Sequence, residues 1–173
     1  MKRKTLFIFC VLMLYSFTAL ASEYSLDVGI ASGNRDAKAY LLGIKKMYQP
    51  LAKRGTTSIV PFVGLTGFVW HSSKKDDVFG ATLSGGLSFR RTGRKSNTYL
   101  ALSVGPTLIS RKYLGTVDMG SRFHFNTTFS LGISFGKSRR HSLEAFYSHY
   151  SNAGLASENP GHNIYGGAYR YSF

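Results

Sequence analysis

The stretch Phe123-His124-Phe125-Asn126-Thr127-Thr128-Phe129-Ser130-Leu131-Gly132-Ile133-Ser134-Phe135 decides the fold. Its odd positions are Phe, Phe, Thr, Phe, Leu, Ile and Phe, and its even positions are His, Asn, Thr, Ser, Gly and Ser. A period of two belongs to a β-strand, which sends successive side chains to opposite faces. Residues 79–89 repeat it, with Phe79, Ala81, Leu83, Gly85, Leu87 and Phe89 opposed to Gly80, Thr82, Ser84, Gly86 and Ser88. Each alternation persists for about 11–13 residues, well past the length of an ordinary globular strand and matched to a tilted bilayer crossing. The less apolar faces consist of small residues, as the packed interior of a narrow barrel requires. The expected class is all-β, an eight-stranded antiparallel transmembrane β-barrel of the outer-membrane type.

The rest of the chain supplies the remaining strands. Tyr24, Leu26, Val28 and Ile30 alternate with Ser25, Asp27, Gly29 and Ala31, and Gly33-Asn34-Arg35-Asp36 turns the chain. Tyr40, Leu42 and Ile44 mark a second strand, followed by a basic connection over 49–55. Residues 58–70 form a third, apolar on both faces and containing Pro61, so its facing stays open. Residues 71–77 are polar and read as a loop. The fifth strand, 98–108, groups Leu100, Leu102, Val104 and Leu108; the seventh covers 141–151 and the eighth 163–173. This last strand alternates Tyr165, Gly167, Tyr169, Tyr171 and Phe173, similar to the assembly signal of bacterial outer-membrane barrels. Eight is an even strand count, and closure leaves no edge.

Residues 1–21 read as a signal peptide: a basic Lys2-Arg3-Lys4, an apolar run over 6–14 and the small-x-small Ala19-Leu20-Ala21. Residues 22–173 then form one barrel domain. The only cysteine, Cys10, falls in the leader, so the mature chain has neither disulfides nor thiolate chemistry. The chain carries +14 formal charges, and removing Lys2, Arg3 and Lys4 leaves +11. An anionic partner follows, with phosphorylated glycolipid, acidic polymer and nucleic acid as candidates, nucleic acid being the weakest for an exported protein and no nucleic-acid partner being expected. No later run approaches the length of a transmembrane helix. Eleven Tyr and thirteen Phe instead suit the aromatic girdles of a membrane barrel.

With both termini periplasmic, the loops at 32–37, 71–77, 110–120 and 152–162 lie outside. The turns near 49–55, 91–96 and 136–140 lie in the periplasm. The seventh strand therefore ends at the outer leaflet, at His149-Tyr150-Ser151-Asn152-Ala153-Gly154-Leu155. Leu143, Ala145 and Tyr147 mark its lipid face, and parity carries His149 and Ser151 with them, although Phe146 and Tyr150 occupy the even face. Unpaired polar groups facing lipid are costly as packing and are accounted for if the substrate is a lipid. A hydroxyl beside an imidazole is also the minimum apparatus of an activated serine.

At these residues, and at Asn159-Pro160-Gly161-His162-Asn163, the sequence resembles the outer-membrane lipid A 3-O-deacylase family of the PagL type. The resemblance implies a carboxylic-ester hydrolase that removes the 3-O-linked acyl chain from lipid A of lipopolysaccharide, in the outer membrane, with its site toward the outer leaflet. It implies Ser151 as nucleophile, His149 as general base, and an oxyanion hole from the Asn152 side chain and the Gly154 N–H. Aligning Gly161 with the family's glycine places Asn163 at the base-orienting position, where the family's characterised form has Glu. Asn can fix the imidazole tautomer but brings no negative charge. Glu158 is the alternative orienter, and Glu144 lies too far down the strand.

No cofactor and no metal site is expected, and a homodimer is left open. The alternatives are a non-catalytic structural or interaction barrel and a lipid esterase of different regiospecificity. The phosphate-loop look-alike over 132–138 is one residue short between its glycines and lacks a following helix. Lys74-Lys75 and Arg111-Lys112 fall on the outer side, where they could meet lipopolysaccharide phosphates or simply be solvated.

Overall fold

The computed structural model describes residues 21–173 apart from Arg35 and Lys74. The expected signal peptide thus lies outside the described residues except for Ala21, which opens the first strand. Eleven strands follow among these residues: β1 (Ala21–Gly33), β2 (Ala37–Tyr48), β3 (Ala52–Arg54), β4 (Thr57–Ser72), β5 (Lys75–Thr92), β6 (Asn97–Ile109), β7 (Tyr113–Leu114), β8 (Val117–Asp118), β9 (Phe123–Phe135), β10 (His141–Ser151) and β11 (His162–Ser172). Eight long strands pair antiparallel in the order β2-β1-β11-β10-β9-β6-β5-β4, and β4 pairs back onto β2 to close the barrel. The start of β1 and the C-terminus meet at one rim, where the Tyr24 and Phe173 backbones exchange hydrogen bonds of 3.1 and 2.9 Å.

Burial alternates along the strands as the period of two demands. Val28, Ile30, Leu42, Leu65, Leu83, Val104, Leu131 and Leu143 all face outward and are exposed. A water-soluble monomer does not carry so continuous an apolar exterior; a bilayer solvates it. The open question on the third predicted strand resolves in β4, where Val60, Phe62, Phe68 and Trp70 point inward. Phe146 and Tyr150 point inward too, and Tyr150 meets Trp70 edge-on at 4.9 Å. The outward parity of His149 and Ser151 follows from their neighbours' burial.

The interior is not simply small. Rings from β4 and β6 lie across glycines of β5 and β9: a side chain at Gly80 would collide with Phe68, at Gly86 with Phe62, and at Gly132 with Tyr99. The small faces are therefore sockets for large side chains. Between an apolar cluster around Trp70 and another around Phe62 sits an ionic layer. Arg170 donates from Nε to Asp27 Oδ1 at 2.7 Å and from Nη2 to Glu144 Oε2 at 2.7 Å. Lys45 Nζ stands 2.7 Å from Asp27 Oδ2, and the Tyr99 hydroxyl donates to Glu144 Oε2 at 3.0 Å. Two carboxylates and two cations neutralise one another, which is the condition for burying charge.

Two predicted loops are partly strand. Over 71–77, β4 continues to Ser72 and β5 begins at Lys75, with Ser72 paired to Lys75. His71 Nδ1 and Asp77 Oδ1, 2.6 Å apart, clamp the hairpin. Polarity here reflects strands continuing beyond the apolar band rather than a break in pairing. The 110–120 loop contains the β7–β8 hairpin and buries Leu114 and Met119 over the barrel mouth. Lys112 donates to Asp118 Oδ2 at 2.8 Å, and this bond, with one from Gly120 N–H, holds the Asp118 carboxyl below the usual carboxylate range.

Candidate active site

His149 stands on the outward face of β10 near its loop end, directly opposite Asn163 of β11 and Thr127 of β9. Ser151, the last residue of β10, shares that face and stands opposite Phe125. His149 Nδ1–H donates to Asn163 Oδ1 at 2.6 Å. A carbonyl oxygen can only accept, so this bond places the imidazole proton on Nδ1 and leaves the lone pair on Nε2. An imidazole in that tautomer is set up to take a proton from a group on its far side. Among the described residues Ser151 Oγ is not hydrogen-bonded to His149. Both residues are half-buried.

The position of Asn163 is over-determined. Its N–H donates to Asn34 Oδ1 at 3.0 Å, and its carbonyl accepts from Asn34 N–H at 2.9 Å. These bonds join the first loop to the start of β11 and leave the Asn163 side chain free to face His149. Gly161 supplies the other wall. Its φ of +62° is in the left-handed region, and a Cβ there would sit 3.0 Å from His149 Cε1. Glycine is needed on both counts.

The two expected oxyanion donors are otherwise engaged. Asn152 is fully buried, and its amide donates to Glu158 O at 2.6 Å and Met119 O at 3.3 Å. Nδ2 carries two hydrogens, so both are in use. The Gly154 N–H donates to Asn152 Oδ1 at 3.0 Å, and the Asn152 N–H to Asn159 Oδ1 at 3.0 Å. Asn152 thereby fastens the site loop to the 110–120 loop, with Ala153 and Gly154 both at positive φ in the turn that follows. Glu158 is exposed and meets Asn152 through its backbone carbonyl, whereas His149 Nδ1 is taken by Asn163. Glu144 is inside the barrel, bound to Arg170.

Asn34 and Met119 were not legible as site residues. Asn34 lies 129 residues from Asn163, and no local pattern reports a contact of that range. The Gly33-Asn34 turn signal was the one available hint. Lys112, a candidate phosphate contact, is instead paired with Asp118, and Lys74 falls outside the described residues.

A family model described as lipid A 3-O-deacylase (PagL) matches residues 42–172, well over half of the chain. A lipid A deacylase PagL of Bordetella bronchiseptica is 36% identical over 75 residues. That match spans 43% of this chain and 41% of the relative's length, less than half of either. In structure, the chain is similar to the crystal structure of the outer membrane enzyme PagL, with a TM-score of 0.75 at 19% identity, covering 87% of this chain and 99% of that one. It is also similar to Neisserial surface protein A, with a TM-score of 0.59 at 15% identity, covering 87% and 96%. At these identities the two structures speak for the barrel alone. The extent of the family match, carried on a barrel whose outer face a bilayer solvates, makes this chain a member of the lipid A 3-O-deacylase (PagL) family of outer-membrane proteins.

Proposed function

We propose that this protein is a serine-type ester hydrolase that removes the 3-O-linked acyl chain of lipid A in the outer leaflet, with the loop-bearing end of the barrel outward. The observation that carries the reading is the 2.6 Å bond from His149 Nδ1–H to Asn163 Oδ1, which leaves Nε2 as a base on the face that bears Ser151. Ser151 Oγ attacks the ester carbonyl carbon while its proton passes to Nε2. The carbonyl π bond becomes the oxyanion; its collapse breaks the bond to the sugar oxygen, which leaves as the alcohol with the proton from Nε2. Water then attacks the acyl-Ser151, gives its proton to Nε2, and the acid departs as Ser151 Oγ recovers that proton. Same-face neighbours on a strand lie about 6–7 Å apart along the chain, so the two side chains rotate toward each other for the transfer.

Gly154 N–H is the oxyanion donor that most readily serves. To serve, it exchanges the Asn152 Oδ1 it now binds at 3.0 Å for the substrate oxyanion. The Asn152 amide joins it by releasing Met119 O, the longer of its two bonds. Asn163 positions His149 and keeps its tautomer, the part of a triad acid's role that needs no charge.

The test is mass spectrometry of lipid A from cells expressing the native chain or Ser151→Ala. The native chain should yield lipid A lacking one 3-O-linked acyl chain, and Ser151→Ala should leave it intact. Intact lipid A with both chains, each folded in the membrane, would overturn the reading.

A further inference from the structure

A groove of about 480 Å³ crosses the outer face of β11, β1 and β2 beside the site. Two residues along β11 from Asn163, Tyr165 stands opposite Ser32 of β1, and Ser32 opposite Lys38 of β2. One step toward the rim of Tyr24 and Phe173, Gly167 faces Ile30, and Ile30 faces Tyr40. The groove thus has a hydroxyl and a cation at its upper edge and an apolar floor. That is the polarity of an anionic amphiphile with its head at the membrane surface. Its centre, on β1, is two strands from His149, about 10 Å at ordinary strand spacing, within the breadth of a lipid with several chains side by side. A second outward hollow of about 510 Å³, by Thr98 and Leu143, lies toward the rim that holds Tyr24 and Phe173, away from Ser151.

The floor is open because of one glycine the fold does not require. At Gly166 an added Cβ would run into the backbone of β1, so that glycine serves strand packing. At Gly167 the nearest atom to such a Cβ is Glu144 O at 3.7 Å, an ordinary contact, and the side chain would point into the groove.

We propose that this groove seats an acyl chain adjoining the scissile ester of the lipid A substrate, with Lys38 holding a phosphate above it and Gly167 setting the chain length accepted. The proposal rests on the hydrolase reading above, and its test reads binding separately from hydrolysis. Native mass spectrometry of detergent-purified Ser151→Ala compares bisphosphorylated with dephosphorylated lipid A, and long-chain with short-chain forms. Adding Lys38→Ala should weaken binding of the bisphosphorylated lipid about tenfold, with Lys38→Arg restoring it, and should leave the dephosphorylated lipid unaffected. Adding Gly167→Leu should shift preference toward the short-chain form, by less than the about fourfold per methylene of transfer from water, because the excluded methylenes stay in detergent. Should Gly167→Leu fail to fold, Ile30→Trp closes the same groove from β1. Unchanged binding in folded Lys38 and groove variants overturns the proposal, as does equal binding of phosphatidylglycerol. Binding that follows these expectations, in a chain that hydrolyses nothing, would instead remove the hydrolase reading and leave the groove standing.

Discussion

Asn163 is where charge can be separated from geometry. Its oxygen holds His149 Nδ1–H at 2.6 Å, while its backbone is anchored independently on Asn34. Side-chain substitutions should therefore leave the start of β11 in place. Asn163→Asp keeps the shape and adds a charge. At about 4 Å, a carboxylate and an imidazolium attract by about 1 kcal/mol in water and about 4 kcal/mol at an effective dielectric of 20. His149 and Asn163 are half-buried, so solvent holds the gain near the lower figure, and about 1.4 kcal/mol is a tenfold change in rate. Asn163→Asp should raise kcat by up to about tenfold. Asn163→Glu should match or exceed the native chain, short of Asp because its extra methylene must fold back. Asn163→Ala removes the bond and frees the tautomer, for a loss of about ten- to a hundredfold. The assay is acyl-chain release from purified lipopolysaccharide in detergent, with urea midpoints showing each variant folded. Full activity in Asn163→Ala, or a fall of several orders in folded Asn163→Asp, would refute the positioning role.

Other substitutions test the supporting structure. Gly161→Ala puts a methyl 3.0 Å from His149 Cε1 at a φ of +62°; activity should fall, with about 1–2 kcal/mol lost in urea unfolding. Asn152→Ala strips the donors from Met119 O and Glu158 O, and limited proteolysis should then cut the 110–120 loop faster, as deacylation drops. Arg170→Met leaves Asp27 and Glu144 buried with Lys45 as their remaining cation, which should cost about 3–5 kcal/mol of stability by urea titration. The doubly substituted Asp27→Asn, Glu144→Gln chain should be less destabilised when Arg170→Met is added, because no carboxylate is then left unpaired.

The outward face was readable because every residue on it answers to one partner, the bilayer, and alternation at period two reports that partner directly. His149 and Ser151 could be placed on it by counting from Leu143, whereas Asn163 entered only through the family resemblance at Gly161. The inner face answers to many partners at once. Asp27, Lys45, Glu144 and Arg170 are scattered along the chain as isolated charges, and only closure of β1, β2, β10 and β11 around a common interior makes them one neutral cluster. The 71–77 segment misled for a related reason: strands that continue into water keep their hydrogen bonds but lose the apolar side chains by which strands are recognised.

From its own order of residues the chain determined a period, a strand number, a facing and a His-x-Ser pair at a strand end, all of them local properties of an extended backbone. Tertiary structure alone decided which groups stand beside that pair. The β10–β11 register set Asn163 against His149, and the Asn34 turn locked it there. Docking of two loops buried Asn152, expected as an oxyanion donor, among carbonyls. Hydrogen-bond donors go to the acceptors that folding brings near, and two of those here, Asn34 for Asn163 and Met119 for Asn152, lie 129 and 33 residues away along the chain.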